Sequence, residues 1–194
     1  MDKLAIYLFK NLKTKQVVVS KSSNIIGKSQ LANQIENNAL KPLLNRPDMW
    51  SPLVVVHGFN GVAPTDPSAE PSHELHTRLF TMLSAKIPSP ETRVQNFNIM
   101  SLNDYKRLPL DAKRKLEMDM IEPKLDQLCR CFLYLNNSHP DYKLNLYWDN
   151  MSYSKVIPLS GLTWPQNISH HKLQLVRGNI IVNPELKYIS KVRV

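Results

Sequence analysis

Glycine is scarce in this chain: five in 194 residues, at positions 27, 58, 61, 161 and 178. That scarcity excludes the Gly-x-Ser-x-Gly turn on which a hydrolase nucleophile sits, because no two glycines stand four apart. It also undercuts a phosphate-binding loop. Gly27-Lys28-Ser29 follows a strand-like run, but Ser22 occupies the place where that motif needs its first glycine, so the backbone could not wrap phosphates. Cysteine is nearly absent. Cys129 and Cys131 lie two apart in a helix-like apolar run, which gives no disulfide framework and fits a reducing compartment. A Cys-x-Cys pair on a helix aims its thiols at different faces, and His139 adds no second pair, so buried free cysteines are expected and no metal or other cofactor. The adjacent His170-His171 lacks the spacing of two ligands on one helix face and fits a basic surface. No apolar run nears the roughly 20 residues of a membrane span. Met1-Asp2-Lys3-Leu4 opens neither a secretory signal nor an Arg-rich transit peptide; import into an organelle needs neither in every case.

Acidic charge is also short. Twenty-five lysines and arginines face sixteen acids, for a net charge of +9 and a pI of about 9.6. A surface of that sign attracts phosphate backbones and releases their counterions. Two stretches hold much of the excess. Lys10, Lys13, Lys15, Lys21 and Lys28 have only Asp2 against them up to residue 28, and Lys172, Arg177, Lys187, Lys191 and Arg193 have only Glu185. These ten are the candidate RNA-binding residues.

What the chain has in plenty is strand-like patterning and proline. Ile6, Tyr7 and Phe9, then a polar turn through residues 11–15, then Val17, Val18 and Val19 predict a hairpin. Ser29 suits the N-cap of a helix bearing Leu31, Ile35 and Leu40. The run Leu53-Val-Val-Val-His57 predicts an interior strand beside the hairpin, covered on both faces. His57-Gly58 resembles the oxyanion loop of α/β hydrolases, though a strand ending in a Gly turn explains it without chemistry. Ser72 opens a helix with Leu75, Leu79, Met82 and Leu83 on one face, stopped by Ile87-Pro-Ser-Pro90, and residues 94–100 suit a short strand or extended segment. Residues 110–135 predict the longest helix pair and the main cover of the sheet, with Pro123 starting or kinking a segment. Leu144, Leu146 and Trp148 alternate with Asn145, Tyr147 and Asp149 in a strand over 143–149.

The expected fold is therefore α/β. A small mixed sheet, from the N-terminal hairpin plus strands near 53–57 and 143–149, is covered by helices in a single domain over 1–157; residues 158–194 form a proline-broken basic C-terminal extension. The fourteen prolines favour extended connections that lie along partners. Tyr7 and its strand also resemble the opening of the GIY-YIG nucleases. The return strand reads Val18-Val19-Ser20 and the next helix has Glu36 but no arginine, which describes a degenerate core that binds without cutting.

Ile6-Tyr-Leu-Phe-Lys-Asn-Leu12 with Gln16-Val17, Arg46-Pro-Asp-Met-Trp50 before an apolar strand, Leu146-Tyr-Trp-Asp149, His171-Lys-Leu173 and Arg177-Gly-Asn-Ile180 together resemble the fungal mitochondrial homologous-recombination protein family. Members of that family also serve in the mitochondrial large ribosomal subunit and have been linked to transcription. The resemblance implies a mitochondrial protein that is not an enzyme, a structural component of that subunit contacting large-subunit rRNA and neighbouring mitoribosomal proteins. It equally implies an alternative on DNA: ATP-independent homologous pairing in recombination, or regulation of transcription. A GIY-YIG-like nuclease is the third reading, with its motif incomplete.

Overall fold

The computed structural model describes residues 4–25, 29–35, 47–59, 73–89, 91–92, 94, 100–139, 141–155, 161–176 and 180–182. The predicted hairpin is present as β1 (Ala5–Asn11) and β2 (Val17–Ser20). Asn11 makes the turn: its Oδ1 accepts from the amides of Lys13 at 3.0 Å and Thr14 at 2.9 Å, while its own amide donates to Gln16 O. Lys15 completes the reversal at φ 59°, in the left-handed region.

β3 (Trp50–His57) pairs antiparallel with β1 on one side and with β4 (Leu144–Trp148) on the other; β5 (Ile168–Lys172) adds to β4 in parallel. The order is β2-β1-β3-β4-β5. Pro52 sits inside β3 although it has no amide hydrogen to give. The register slips there, Leu8 opposing Val54 and Phe9 opposing Pro52, and this bulge lets proline stand in an interior strand. A short hairpin of β6 (Leu175–Val176) and β7 (Ile180–Ile181) follows β5. Ile168–Lys172 thus lies inside the main sheet, although it falls within the stretch read from sequence as an extension beginning at residue 158.

Both faces of the sheet are covered, as the unbroken apolar run of β3 requires. Ile6, Leu8, Val54, Val56, Leu146 and Trp148 face α1 (His73–Ser84) and α4 (Ile121–Ser138). Leu75, Leu79 and Leu83 of α1 recur every four residues, and Leu125, Leu128, Phe132 and Leu135 form the matching stripe of α4. The opposite face carries Tyr7, Phe9, Val18, Val55 and Tyr147 under Ile25, Leu31, Ile35, Leu173 and Ile181. Burying roughly a dozen large apolar side chains on each face, at about 1.5–3 kcal/mol each, is what offsets the chain's conformational entropy.

Three expectations need correction. The segment after Ser29 is a 3-10 helix, Ser29–Gln34, not an α-helix. Gln34 turns its amide onto the outer edge of β2, accepting from Val19 N at 2.8 Å and donating to Val19 O at 2.7 Å; Leu40 and Glu36 lie outside the described residues. The helix pair over 110–135 does not cover the sheet as a pair. α3 (Leu110–Met118) has no buried residue, because Leu110, Ala112, Leu116 and Met118 are too few and too scattered to make a core stripe; α4 alone does the covering. Val94 is buried and helical instead of extended, residues 95–99 lying outside the described set. Pro123 is accommodated in the first turn of α4, where its missing amide hydrogen has no intrahelical partner to lose.

Candidate nucleic-acid interface

The two basic clusters read from the sequence meet at one aspartate. Lys10 of β1 reaches Asp149 Oδ2 at 2.9 Å, and Lys172 at the end of β5 donates its Nζ to the backbone oxygen of the same residue. β1 and β5 are separated by two strands, and the turn after β4 lets Asp149 serve both. The Lys10 ammonium also lies 5.0 Å from the centre of the Tyr153 ring, so it is held inside the fold, with 14% of its side chain exposed. Lys10 is thus a cross-sheet tie more than a free cation.

Lys13 and Lys15 stand exposed at the tip of the β1–β2 hairpin. Lys15 lies 3.7 Å from Asp119, with both side chains largely in solvent, a pair that contributes little on its own. Lys21 is exposed just past β2, over the ring of Phe80 at 4.8 Å. Lys28, Arg177, Lys187, Lys191 and Arg193 lie outside the described residues.

Sequence reasoning passed over a denser cluster. Residues 106–115 contain five basic side chains, Lys106, Arg107, Lys113, Arg114 and Lys115, against the single acid Asp111. Ser101 caps α2 (Leu102–Arg107), accepting from Asp104 N at 3.0 Å, which leaves Lys106 and Arg107 in the last turn, where the helix dipole favours cations. Pro109 breaks the chain and α3 begins at once. Lys113 folds back to donate to Lys106 O at 2.7 Å and lies 5.7 Å from the Tyr105 ring, tying the two helices together. This basic pair adjoins the hairpin tip, because Met120, two residues past α3, donates its amide to Lys15 O at 3.2 Å. The charge density was legible in the sequence. Its exposure was not, since the surrounding leucines suggest a core helix.

Other constellations are spent on structure. Lys124 is 2% exposed and donates to Leu83 O at 2.5 Å, closing the end of α1 with Gln127, which donates to Met82 O at 2.9 Å. Burial pulls its ammonium down to about 8, so it offers no phosphate contact. Cys129 and Cys131 are buried, and burial pushes both thiols up to about 11. Among the described residues no group of three or more His, Cys, Asp or Glu is placed to hold a metal ion, and no helix is long and apolar enough to cross a membrane. His57 is buried at the end of β3, and Gly58 brings the chain against Lys143; Tyr7 is 2% exposed in the second core, stacked at 6.2 Å on Phe9.

Two histidines make the fold sensitive to acid. His170 accepts from Trp148 Nε1 through its Nδ1 at 3.0 Å, and its pKa is lowered by burial and then by His171. His76, 3.1 Å from Ala5 O, is lowered chiefly by burial, against the raising effect of that carbonyl. Both groups bind protons more weakly folded than unfolded, so the unfolded chain takes up more protons as pH falls below about 6.5 and stability drops with it. Urea midpoints should therefore fall between pH 7.5 and 5.5. His170→Asn, which keeps an acceptor for Trp148, should make that fall shallower; an unchanged profile would refute the assignment.

No curated protein matches the chain. Residues 4–66, about a third of the chain, match the model of the Mhr1 family, described as transcriptional regulation of mitochondrial recombination. The matched segment contains β1, β2 and β3, the antiparallel half of the sheet, and ends before α1. It favours the recombination and transcription alternative over the ribosomal reading, and it gives the mitochondrion as the compartment. Through these first three strands the chain is similar to the Mhr1 family of mitochondrial recombination regulation, which is the resemblance read from the sequence.

Proposed function

We propose that the protein is a non-catalytic DNA-binding protein of the mitochondrion that acts in recombination or its transcriptional regulation, pairing homologous strands without ATP. The match of residues 4–66 to the Mhr1 family carries this reading. The charge of +9 and the exposed lysines at the hairpin tip supply the electrostatic means, since neutralising DNA phosphates needs cations in solvent and no sequence-specific groove contact. Burial of Tyr7 supports binding without cutting, because a tyrosine under Leu173 and Ile181 does not meet a phosphodiester. The ten residues named from the sequence divide under this reading. Lys13, Lys15 and Lys21 reach solvent as contacts, and Lys10 holds β1 to Asp149.

The test is binding of purified full-length protein to duplex and single-stranded DNA across a salt series, followed by strand pairing without nucleotide. Affinity that falls steeply with salt, together with pairing of complementary strands, is the expected result. Binding to neither form of DNA, with the protein instead sedimenting stoichiometrically with the mitochondrial large subunit at high salt, would overturn it in favour of the ribosomal role.

A further inference from the structure

We infer that the paired helices α2 and α3 form a dedicated surface for the phosphate backbone of duplex DNA, with Lys106, Arg107 and Lys115 as its contact residues. The surface lies beyond residues 4–66 and so outside the part of the chain that the family match covers. The inference rests on the DNA-binding reading and assigns it a place on the fold.

Four observations converge on it. α3 has no buried residue, so its nine residues are not retained to complete a core. Leu110 stands 63% exposed at its first position, and Asp111, Arg114 and Lys115 after it are exposed. Three of the four acids in residues 101–119 are already engaged, and the fourth, Glu117, is half-buried in α3. Asp104 is held at the start of α2 by Ser101, whose hydroxyl donates to Asp104 Oδ2 at 2.6 Å, and Asp119 faces Lys15 at 3.7 Å. Asp111 lies 3.9 Å from Arg114, with its own side chain 97% exposed. Lys106, Arg107 and Lys115 have no ion pair with any described residue and are exposed.

Sign decides the partner. Two short helices that bury only Tyr105 between them yet concentrate cations complement a polyanion, and a duplex backbone offers a phosphate about every 1.7 Å of axis to such a surface. Lys113 donates to Lys106 O, which ties α3 to the end of α2. The hairpin tip with Lys13 continues the surface, through the Met120 amide on Lys15 O. Contacts of this kind are sequence-independent, which is what pairing of arbitrary homologous strands requires.

The experiment compares two triple variants of equal charge. K106A/R107A/K115A removes the proposed contacts; K86A/K143A/K155A removes three exposed lysines from elsewhere. Binding of full-length protein to a labelled duplex is measured across a salt series, with thermal unfolding of each variant alongside. The first triple should unfold like the parent, lose at least about tenfold in affinity at low salt, and lower the slope of log affinity against log salt by about 2–3, near 0.9 per lost contact. The control should change affinity and slope far less. Equal losses in the two triples would show that only net charge matters, and no loss in either would place the contacts elsewhere; both outcomes overturn the assignment while leaving DNA binding intact. A parent that does not bind duplex DNA would overturn the functional reading itself. Should the first triple unfold early, K106Q/R107Q/K115Q replaces it under the same criteria.

Discussion

Replacing Trp148 with alanine is expected to cost about 3–5 kcal/mol of unfolding free energy, which is of the order of the whole stability of a domain this size. The residue is fully buried in β4 and opposes Val54 of β3 and Lys172 of β5. Its ring stacks on His170 at 14° and meets Trp164 edge to face at 5.9 Å, while its Nε1 donates to His170 Nδ1. Truncation removes the aromatic area, opens a cavity under α4 and leaves His170 without its donor. β5 should suffer first, because as an edge strand it is held to the sheet through β4 alone. Hydrogen exchange of the amides in 168–172 should then approach that of a free strand while β1 and β3 remain protected. Trp148→Phe keeps the stacking surface and loses the hydrogen bond, so a smaller loss of about 1–2 kcal/mol is expected from urea titration. A loss under about 1 kcal/mol for Trp148→Ala would mean that β5 is held by something other than this contact.

The dependence of β5 on β4 also explains why it escaped notice in the sequence. Ile168-Ser-His-His-Lys172 shows no alternation that a strand would announce, and of its five side chains only Ile168 is buried. A parallel edge strand needs no hairpin turn beside it in sequence, so nothing local marks it. β1, β2, β3 and β4 were legible for the opposite reason. Their β-branched and aromatic residues have to fill two cores, and the period-2 pattern in Leu144, Leu146 and Trp148 shows the burial directly. The covering helices were legible by their stripes, yet the stripe of α4 was extended in reading across the break at Asp119 and Met120 to include α3. Charge without apolar periodicity distinguishes the two.

The candidate interface was legible in kind but not in place. Net charge made a polyanion the expected partner and the hairpin lysines candidates, and those at the tip reach solvent. Lys10 could not be separated from them by sequence, since the acid that holds it is 139 residues away. The cluster over 106–115 was visible as five basic residues in ten, but a count along the chain does not distinguish a solvated helix from one laid against a sheet.

Gly58→Ala should be nearly as damaging as the loss of Trp148, with an expected cost of about 3–5 kcal/mol. Two independent penalties add. The backbone at Gly58 has φ +113°, which a residue with a Cβ adopts only under strain of about 1–3 kcal/mol. A Cβ placed there would also lie 2.8 Å from the backbone oxygen of Lys143 and 3.3 Å from Cα of Leu144, and since neither is a side chain that can swing aside, β3 or β4 must move, at about 1–3 kcal/mol more. Gly161 isolates the first penalty from the second. It too has a positive φ, +68°, but nothing lies within 4 Å of a Cβ built on it, so Gly161→Ala should cost only about 1–2 kcal/mol. The difference between the two variants in urea midpoint, measured under one condition, therefore reads the close approach of the chain after β3 to the start of β4. Equal effects would mean that Gly58 is required for its dihedral alone. A larger loss at Gly58 would confirm that the His57-Gly58 turn exists to let two strands meet, and the likeness of this turn to a hydrolase oxyanion loop would need no chemical explanation.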